Sequence, residues 1–446
     1  VRLTEYFPVY RKNLNLAFPV ILAQMGQVTV NLADNMMVGH VGTAQLAAAS
    51  FANSLFIVGM LFGMGITFSL TPLVGQAFGS NQSPAIGSWF RNGVLVFFIA
   101  SLLISGLMSP VVLFMRSMGQ SREVVSLAIP YYLIQVSSLI PMMLFFSVKQ
   151  LFEGIGNTRI AMVITVFSNV LNIILNYILI YGKLGFPACG LNGAGYATLI
   201  SRLVMPVIFV LAVIRNPRFT KYFQGARHAH FELQKIKRIL SIGLPIGLQM
   251  VIEVLAFSAG AIMMGWISAE SQAGHQIALS MASMTYMISF GLAAGTTIRV
   301  SHAAGEANRE ELKKTIFASL HLVVLFMSSM GLLFIILRHF IPELFTSDPA
   351  VVRVAAGLLV IGALFQIFDG VQVVLLGSLR GLADVRFPMY FAFVSYIMLS
   401  LPVSYLCAFV FHFGPQGVWL GFVFGLASAA VFFAFRLRHQ IRHFRA

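Results

Sequence analysis

Charge is scarce in this 446-residue chain: Asp, Glu, Lys and Arg together make up 10% of it, where a globular fold in water carries about a quarter. So little charge cannot cover a water-facing surface, which excludes a soluble globular domain. Cysteine is scarcer still, and Cys189 and Cys407 are too few for a disulfide framework. No Gly-x-x-x-x-Gly-Lys-Ser/Thr phosphate loop occurs, so nothing in the chain points to an ATP-driven pump. Neither a His-Glu-x-x-His pair nor a cysteine ligand cluster is present, and His40, His275 and His302 stand singly. The expectation is a protein that is not an enzyme and holds no cofactor.

What the chain has in quantity is apolar length. Hydrophobic residues make up 58% of it, with 41 Phe, 38 Gly and 22 Met. Each helix that crosses a hydrocarbon core needs about 20 such residues. Apolar runs fall at 13–38, 51–76, 90–115, 127–149, 160–182, 191–214, 239–266, 276–301, 315–338, 351–376, 386–410 and 416–436. They are continuous, without the polar–apolar alternation of a membrane barrel strand. The fold class expected is an all-α polytopic membrane protein of twelve transmembrane helices, with the first run kept as a span and not removed as a leader.

Basic residues outnumber acidic ones by 29 to 14, and their placement gives the orientation. With twelve spans both termini share a side, and 23 of the 29 basic residues fall there. Arg116, Arg122, Lys183, Arg338 and Arg353 fall on the other side, and Arg202 lies inside a span. Lys and Arg accumulate in cytoplasmic loops, so both termini are expected in the cytoplasm, and the basic excess implies no nucleic-acid partner. The longest polar connection, 215–238, reads as a basic cytoplasmic linker between a six-helix lobe at 1–214 and another at 239–446.

The halves also repeat. At a constant offset of 226 residues Pro19 meets Pro245, Gly39 meets Gly265, Gly65 meets Gly291 and Gly79 meets Gly305. At offset 227, Gly154 meets Gly381 and Arg159 meets Arg386. Six helices return a chain to its starting side, so the two bundles are parallel repeats, and transport pathways lie between such repeats in many carriers.

Without an ATP motif, energy would come from an ion gradient, which requires ionisable groups within the membrane. Asp34, Glu253 and Asp369 are the acids that fall inside spans, where an uncompensated charge is expensive and by default functional. In the repeat they align with Gly260, Gln27 and Met142, so they are not part of the shared scaffold. Carboxylates in such a setting can hold a proton, Na+ or an organic cation in turn. Uncharged polar residues lie at similar depth: Asn172 and Asn176 on one helix face, Gln249 one turn before Glu253, Gln366 before Asp369, and Gln276 with Tyr286 on the eighth span. Each of these serves equally well as interhelical glue. Pro19, Pro141, Pro245 and Pro402 mark places where helices bend.

These motifs resemble the multidrug and toxic compound extrusion family, in its NorM-like bacterial branch, along essentially the whole chain. In the first half the resemblance rests on Asn31-Leu-Ala-Asp-Asn-Met-Met-Val-Gly-His-Val-Gly, Leu73-Val-Gly-Gln-Ala-Phe-Gly and Glu153-Gly-Ile-Gly-Asn-Thr-Arg. In the second it rests on Gly243-Leu-Pro-Ile-Gly through Glu253, Gly274-His-Gln-Ile-Ala, Arg299-Val-Ser-His-Ala-Ala-Gly-Glu, and Phe365-Gln-Ile-Phe-Asp-Gly-Val-Gln leading into Gly377-Ser-Leu-Arg-Gly. The resemblance implies two six-helix lobes in a V, and export of cationic lipophilic drugs by Na+ or H+ antiport from a bacterial inner membrane. It further implies that Asp34, Glu253 and Asp369 are the coupling acids, with Na+ at Glu253 and Asp369. Tyr286 would contribute to that site, while Asn172 and Asn176 would line the first lobe's cavity. The second-lobe acids favour Na+ over H+, and the two-lobe design needs no second subunit. The rival reading is a flippase for lipid-linked saccharides, for which buried basic residues would be expected and where Arg202 is the one intramembrane candidate.

Overall fold

The computed structural model describes residues 6–214, 222 and 230–444. Arg215, Arg218, Lys221 and Arg227 of the expected linker lie outside the described residues. Among the described residues twelve helices are long and apolar enough to cross a membrane: α1 (Phe7–Gly39), α2 (Thr43–Gly79), α3 (Ser83–Leu113), α4 (Arg122–Gly154), α5 (Thr158–Tyr181), α6 (Gly190–Ala212), α7 (Leu233–Ile267), α8 (Ala269–Gly305), α9 (Arg309–Ile336), α10 (Pro349–Gly381), α11 (Arg386–Val410) and α12 (Pro415–His443). No strand occurs among the described residues. This is the all-helical, twelve-span class expected from the apolar runs; each run falls on one helix and overruns it by at most two residues, while the helices extend up to eight residues beyond the runs.

Polar residues set where helices begin. The side chains of Ser121, Asn157, Ser268, Asn308 and Asp348 accept hydrogen bonds from backbone N–H groups in the first turns of α4, α5, α8, α9 and α10. Two helices are interrupted, α2 at Phe68–Ser69 and α4 at Ser138. α11 is wound more widely at Phe393–Ser400 and Leu406–Val410, on either side of Pro402.

The internal repeat extends to individual backbone hydrogen bonds. After α2 the N–H of Gln82 bonds the carbonyl of Ala77, and after α8 that of Asn308 bonds Ala303, each at 2.9 Å. Asn81 and Ala307, equivalent at offset 226, both take a left-handed backbone, with φ of 57° and 55°. After α4 the N–H of Asn157 bonds Phe152 at 2.8 Å, and after α10 that of Asp384 bonds Leu379 at 3.0 Å. There the left-handed residues are Gly156 and Ala383. Such turns satisfy the last carbonyls of a helix, so the same stop recurs even where alanine replaces the glycine that suits it.

The chain forms two compact units. One comprises Leu22–Gly247. Its interior is filled by Phe97, Tyr132, Leu139, Met143, Phe152 and Phe209, with the rings of Phe152 and Phe209 4.9 Å apart. The opening part of α7 belongs to it: Gly243 backs onto the Ile66 carbonyl, where a Cβ would come within 2.7 Å. Glu232, just ahead of α7, accepts from the Lys235 ammonium (2.7 Å) and the Ser88 hydroxyl (3.0 Å), which hold its carboxyl below the usual range.

The other unit comprises Val1–Ile21 and Leu248–Ala446. Trp419, Phe422, Phe433, Leu358, Leu359 and Leu379 lie in its core. The opening part of α1 is tied in by Arg299, which donates to the Val9 carbonyl (3.2 Å) and Asn13 Oδ1 (2.5 Å) and pairs with Glu311. Asn13 in turn donates to the Thr315 carbonyl at 3.2 Å and to Ser319 Oγ at 2.8 Å. Further along the chain, Gly417, Gly421 and Gly425 form a bare stripe on α12 against which α11 lies. There Ser404 Oγ donates to the Val418 carbonyl at 3.0 Å and Ser400 Oγ to that of Gly421 at 2.9 Å.

Candidate functional site

Within the unit spanning Leu22–Gly247, α1, α2, α4, α5 and α6 enclose a cavity of about 280 Å³. Its lining is polar for a membrane interior and includes Asn31, Asp34, Asn53, Gln135, Asn169, Asn172, Thr198 and Arg202. Asp34 is half-buried and accepts a short hydrogen bond from the amide of Asn176. Asn172, one turn away, satisfies both ends of its amide when its nitrogen faces Asp34 Oδ1 at 3.1 Å and its oxygen accepts from the Thr198 N–H at 3.3 Å. Asp34, Asn172 and Asn176 are therefore one cluster, a carboxylate held by two amides from a neighbouring helix.

Several members of this cavity are not evident from the sequence pattern. Tyr131 receives a hydrogen bond from Gln135 at 2.9 Å and donates to Asn53 at 3.4 Å. Arg202 donates to Ser138 Oγ at 2.5 Å, at the interruption of α4, and stands 5.6 Å from the ring centre of Phe56. There the Ser138 hydroxyl accepts from the guanidinium while donating to the Gln135 carbonyl at 2.7 Å, a placement that no helical periodicity announces.

The unit of Val1–Ile21 and Leu248–Ala446 has a second cluster. Glu253 (α7) lies within electrostatic reach of Tyr286 (α8), of Asp369 and Arg380 (α10) and of Tyr396 (α11). Asp369 is 4% exposed, and the protein donor that reaches it is the Gln372 amide at 3.5 Å. The helices that carry these residues also hold buried polar atoms with no partner: both ends of the Gln366 amide and Gln372 Oε1 on α10, Gln249 Nε2 on α7 and the Tyr396 hydroxyl on α11. Buried polar groups are normally paired, so this concentration of unpaired oxygen and nitrogen marks a place where a ligand, ion or water belongs. Gln249 accepts from Arg380 Nη2 at 3.3 Å. Gln276 does not join the cluster; its side chain is exposed.

A small hard cation takes oxygen ligands, and this cluster offers two carboxylates, two phenolic hydroxyls and amide oxygens. No group of three or more His, Cys, Asp or Glu residues gathers among the described residues as a metal cage would require. The donor set suits a monovalent cation. Two further charges differ from the sequence picture of Arg202 as the one intramembrane arginine. Arg299 is 8% exposed within α8, and Arg380 sits inside the last turn of α10. Glu153, also buried, ends α4 beside Lys149 at 2.8 Å.

The comparisons with known proteins agree with this layout. The MatE family model matches twice, at residues 19–178 and 245–406, with starts 226 residues apart. A protein of Agrobacterium fabrum named "Probable multidrug resistance protein NorM" is 33% identical over 448 residues, covering 97% of this chain and 94% of that protein. "Multidrug resistance protein MdtK" of Yersinia pseudotuberculosis is 32% identical over 441 residues, covering 97% and 96%. Among solved structures, one described as MATE in the bent conformation superposes with a TM-score of 0.89 at 22% identity, over 99% of this chain and 98% of that one. It shares the fold. Matched by the family model across both of its repeats, the chain belongs to the MatE family, the multidrug and toxic compound extrusion family of membrane transporters.

Proposed function

We propose that this protein is a secondary multidrug exporter of the bacterial inner membrane. It antiports cationic lipophilic compounds against Na+, or against H+ in its place, by alternating access between two six-helix lobes. The observation that carries the reading is the pairing of Glu253 with Asp369 inside spanning helices, amid polar atoms that lack protein partners. Two negative charges in a low-dielectric setting demand positive charge in return, and a metal ion, a proton or an organic cation each supplies it. Exchange follows when one occupant is favoured in the outward state and another in the inward state. Asp34, with its two amide donors, is the corresponding acid of the polar cavity in the Leu22–Gly247 unit, where a flat cationic drug would sit. The names of the NorM and MdtK relatives support multidrug resistance as the setting.

The test is ethidium efflux from proteoliposomes with Na+ and H+ gradients imposed separately. Wild type should follow one gradient, and Asp369→Asn should lose at least about tenfold in gradient-driven rate, the worth of roughly 1.4 kcal/mol at the coupling step. Retained efflux in Asp369→Asn would remove that carboxylate from coupling. A folded wild type that moves no ethidium under either gradient would transfer support to the saccharide-lipid flippase.

A further inference from the structure

Arg380 occupies the last turn of α10, yet its guanidinium faces the interior. Among the described residues its one hydrogen bond, to Gln249 Oε1, is long at 3.3 Å, and its buried Nε has no acceptor. Gln249 is itself 1% exposed, with Nε2 unpaired. Neither group has its best partner. Glu253 lies four residues beyond Gln249 on α7, so the two share a face one turn apart, about 6 Å. Among the described residues no donor is hydrogen-bonded to the Glu253 carboxylate, while Arg380 lies within electrostatic reach of it. Asp369 is eleven residues before Arg380 on the same helix, about 16 Å along its axis, too far for the same guanidinium to serve.

Charge balance sharpens the point. With both carboxyls ionised, Glu253 and Asp369 would set two negative charges against the one positive charge of Arg380, a deficit that one monovalent cation, or one proton, fills. The arginine is also not part of the repeated scaffold. At offset 227 position 380 corresponds to Glu153, in the same left-handed turn with the same backbone hydrogen bond, from the N–H of Gly156 in one copy and of Ala383 in the other. The slot has been kept and its charge reversed.

We infer that Arg380 is a built-in counter-ion for Glu253 that competes with the transported cation. It rests on Gln249 while the cation is bound and turns one helical turn toward Glu253 when the cation leaves. Its effect is to weaken cation binding enough for release and to hold the site to one cation at a time. The inference deepens the cation-exchange reading above and rests on it.

The test is equilibrium binding of ²²Na+ to the purified full-length protein in detergent, at fixed pH and in a choline background. Arg380→Gln should bind Na+ about tenfold more tightly, as expected for removal of a like charge some 10 Å away at an effective dielectric near 20. Arg380→Lys keeps the charge and should stay within about threefold of wild type. Gln249→Leu deprives Arg380 of its resting partner and should weaken Na+ binding several-fold. Damage to the fold cannot tighten binding, so opposite shifts in the two variants identify the counter-ion role. Unchanged or weaker binding in Arg380→Gln overturns it, and so does tighter binding in Gln249→Leu. A wild type that binds no Na+ would refute the Na+ site of the proposed function and this inference together, whereas a wild type that binds, with variants shifted the wrong way, refutes only the inference.

Discussion

Arg299 shows how single residues carry charge inside this protein. It meets the Val9 carbonyl, Asn13 Oδ1 and the Glu311 carboxylate, and so ties the opening turns of α1 to α8 and α9. Truncation would strand a buried amide and a carboxylate that is 30% exposed. Arg299→Ala is therefore expected to cost about 2 kcal/mol, less than a fully buried pair because Glu311 keeps some water. A melting temperature in detergent equal to that of wild type would show the network to be dispensable. Counting Lys and Arg along the sequence assigns Arg299 and Arg380 to the cytoplasmic side, because Arg299 stands two residues before the end of an apolar run and Arg380 four residues past one. The helices continue through both positions and fold the guanidinium groups inward. The acids were legible, since a carboxylate amid twenty apolar residues stands out. The glutamines were harder to read. Gln249 and Gln366 are buried and Gln276 is exposed, but in a membrane helix the lipid face and the packed face are both apolar, and the periodicity that separates them in water is weak.

Helix ends and helix contacts differ in how far the sequence displays them. Ser, Asn and Asp before an apolar run give the starts of α4, α5, α8, α9 and α10 through their side-chain caps. The interruptions at Phe68–Ser69 and Ser138 carry a different signal: Pro72 and Pro141 each follow within four residues and have no N–H to offer the carbonyl one turn earlier, so the bend expected at Pro141 falls at Ser138. The glycines at 417, 421 and 425 carry another, a four-residue spacing that lets membrane helices approach closely. The structure gives it a partner. A Cβ at Gly417 would lie 2.5 Å from the Cys407 carbonyl carbon, and one at Gly425 2.5 Å from Ser400 Cβ. Both are closer than real Cβ contacts come, and Gly421 is more crowded against Ser404. Gly421→Ala is thus expected to destabilise by about 1–3 kcal/mol, the usual cost of overpacking. Gly106→Ala, with open space around it, should leave the melting temperature unchanged. Equal stability in the two variants would mean that α11 and α12 can part without cost.

For the whole molecule, orientation follows from the distribution of Lys and Arg, and the two native cysteines allow it to be tested. Cys189 lies in the connection between α5 and α6, partly exposed, on the side opposite the expected cytoplasmic termini. With Cys407 replaced by Ser, a membrane-impermeant maleimide added to intact cells should label Cys189. Labelling that requires broken cells would invert the topology. The repeat was legible because prolines, glycines and helix stops recur at a nearly constant offset. Where packing divides the chain was not legible, since it does so inside continuous helices. The two compact units begin at Leu22 and Leu248, equivalent positions 226 residues apart, shortly after Pro19 and Pro245. Each helix that opens a repeat thus lends its first part to the unit built by the opposite repeat. A gene severed at its midpoint would consequently encode no complete unit in either fragment. The first product would lack the opening of α7 and the second the opening of α1. An ancestor one repeat long would have been in the same position, able to finish its bundle only with a half-helix donated by a twin, so that a swapped pair would have preceded the fused chain.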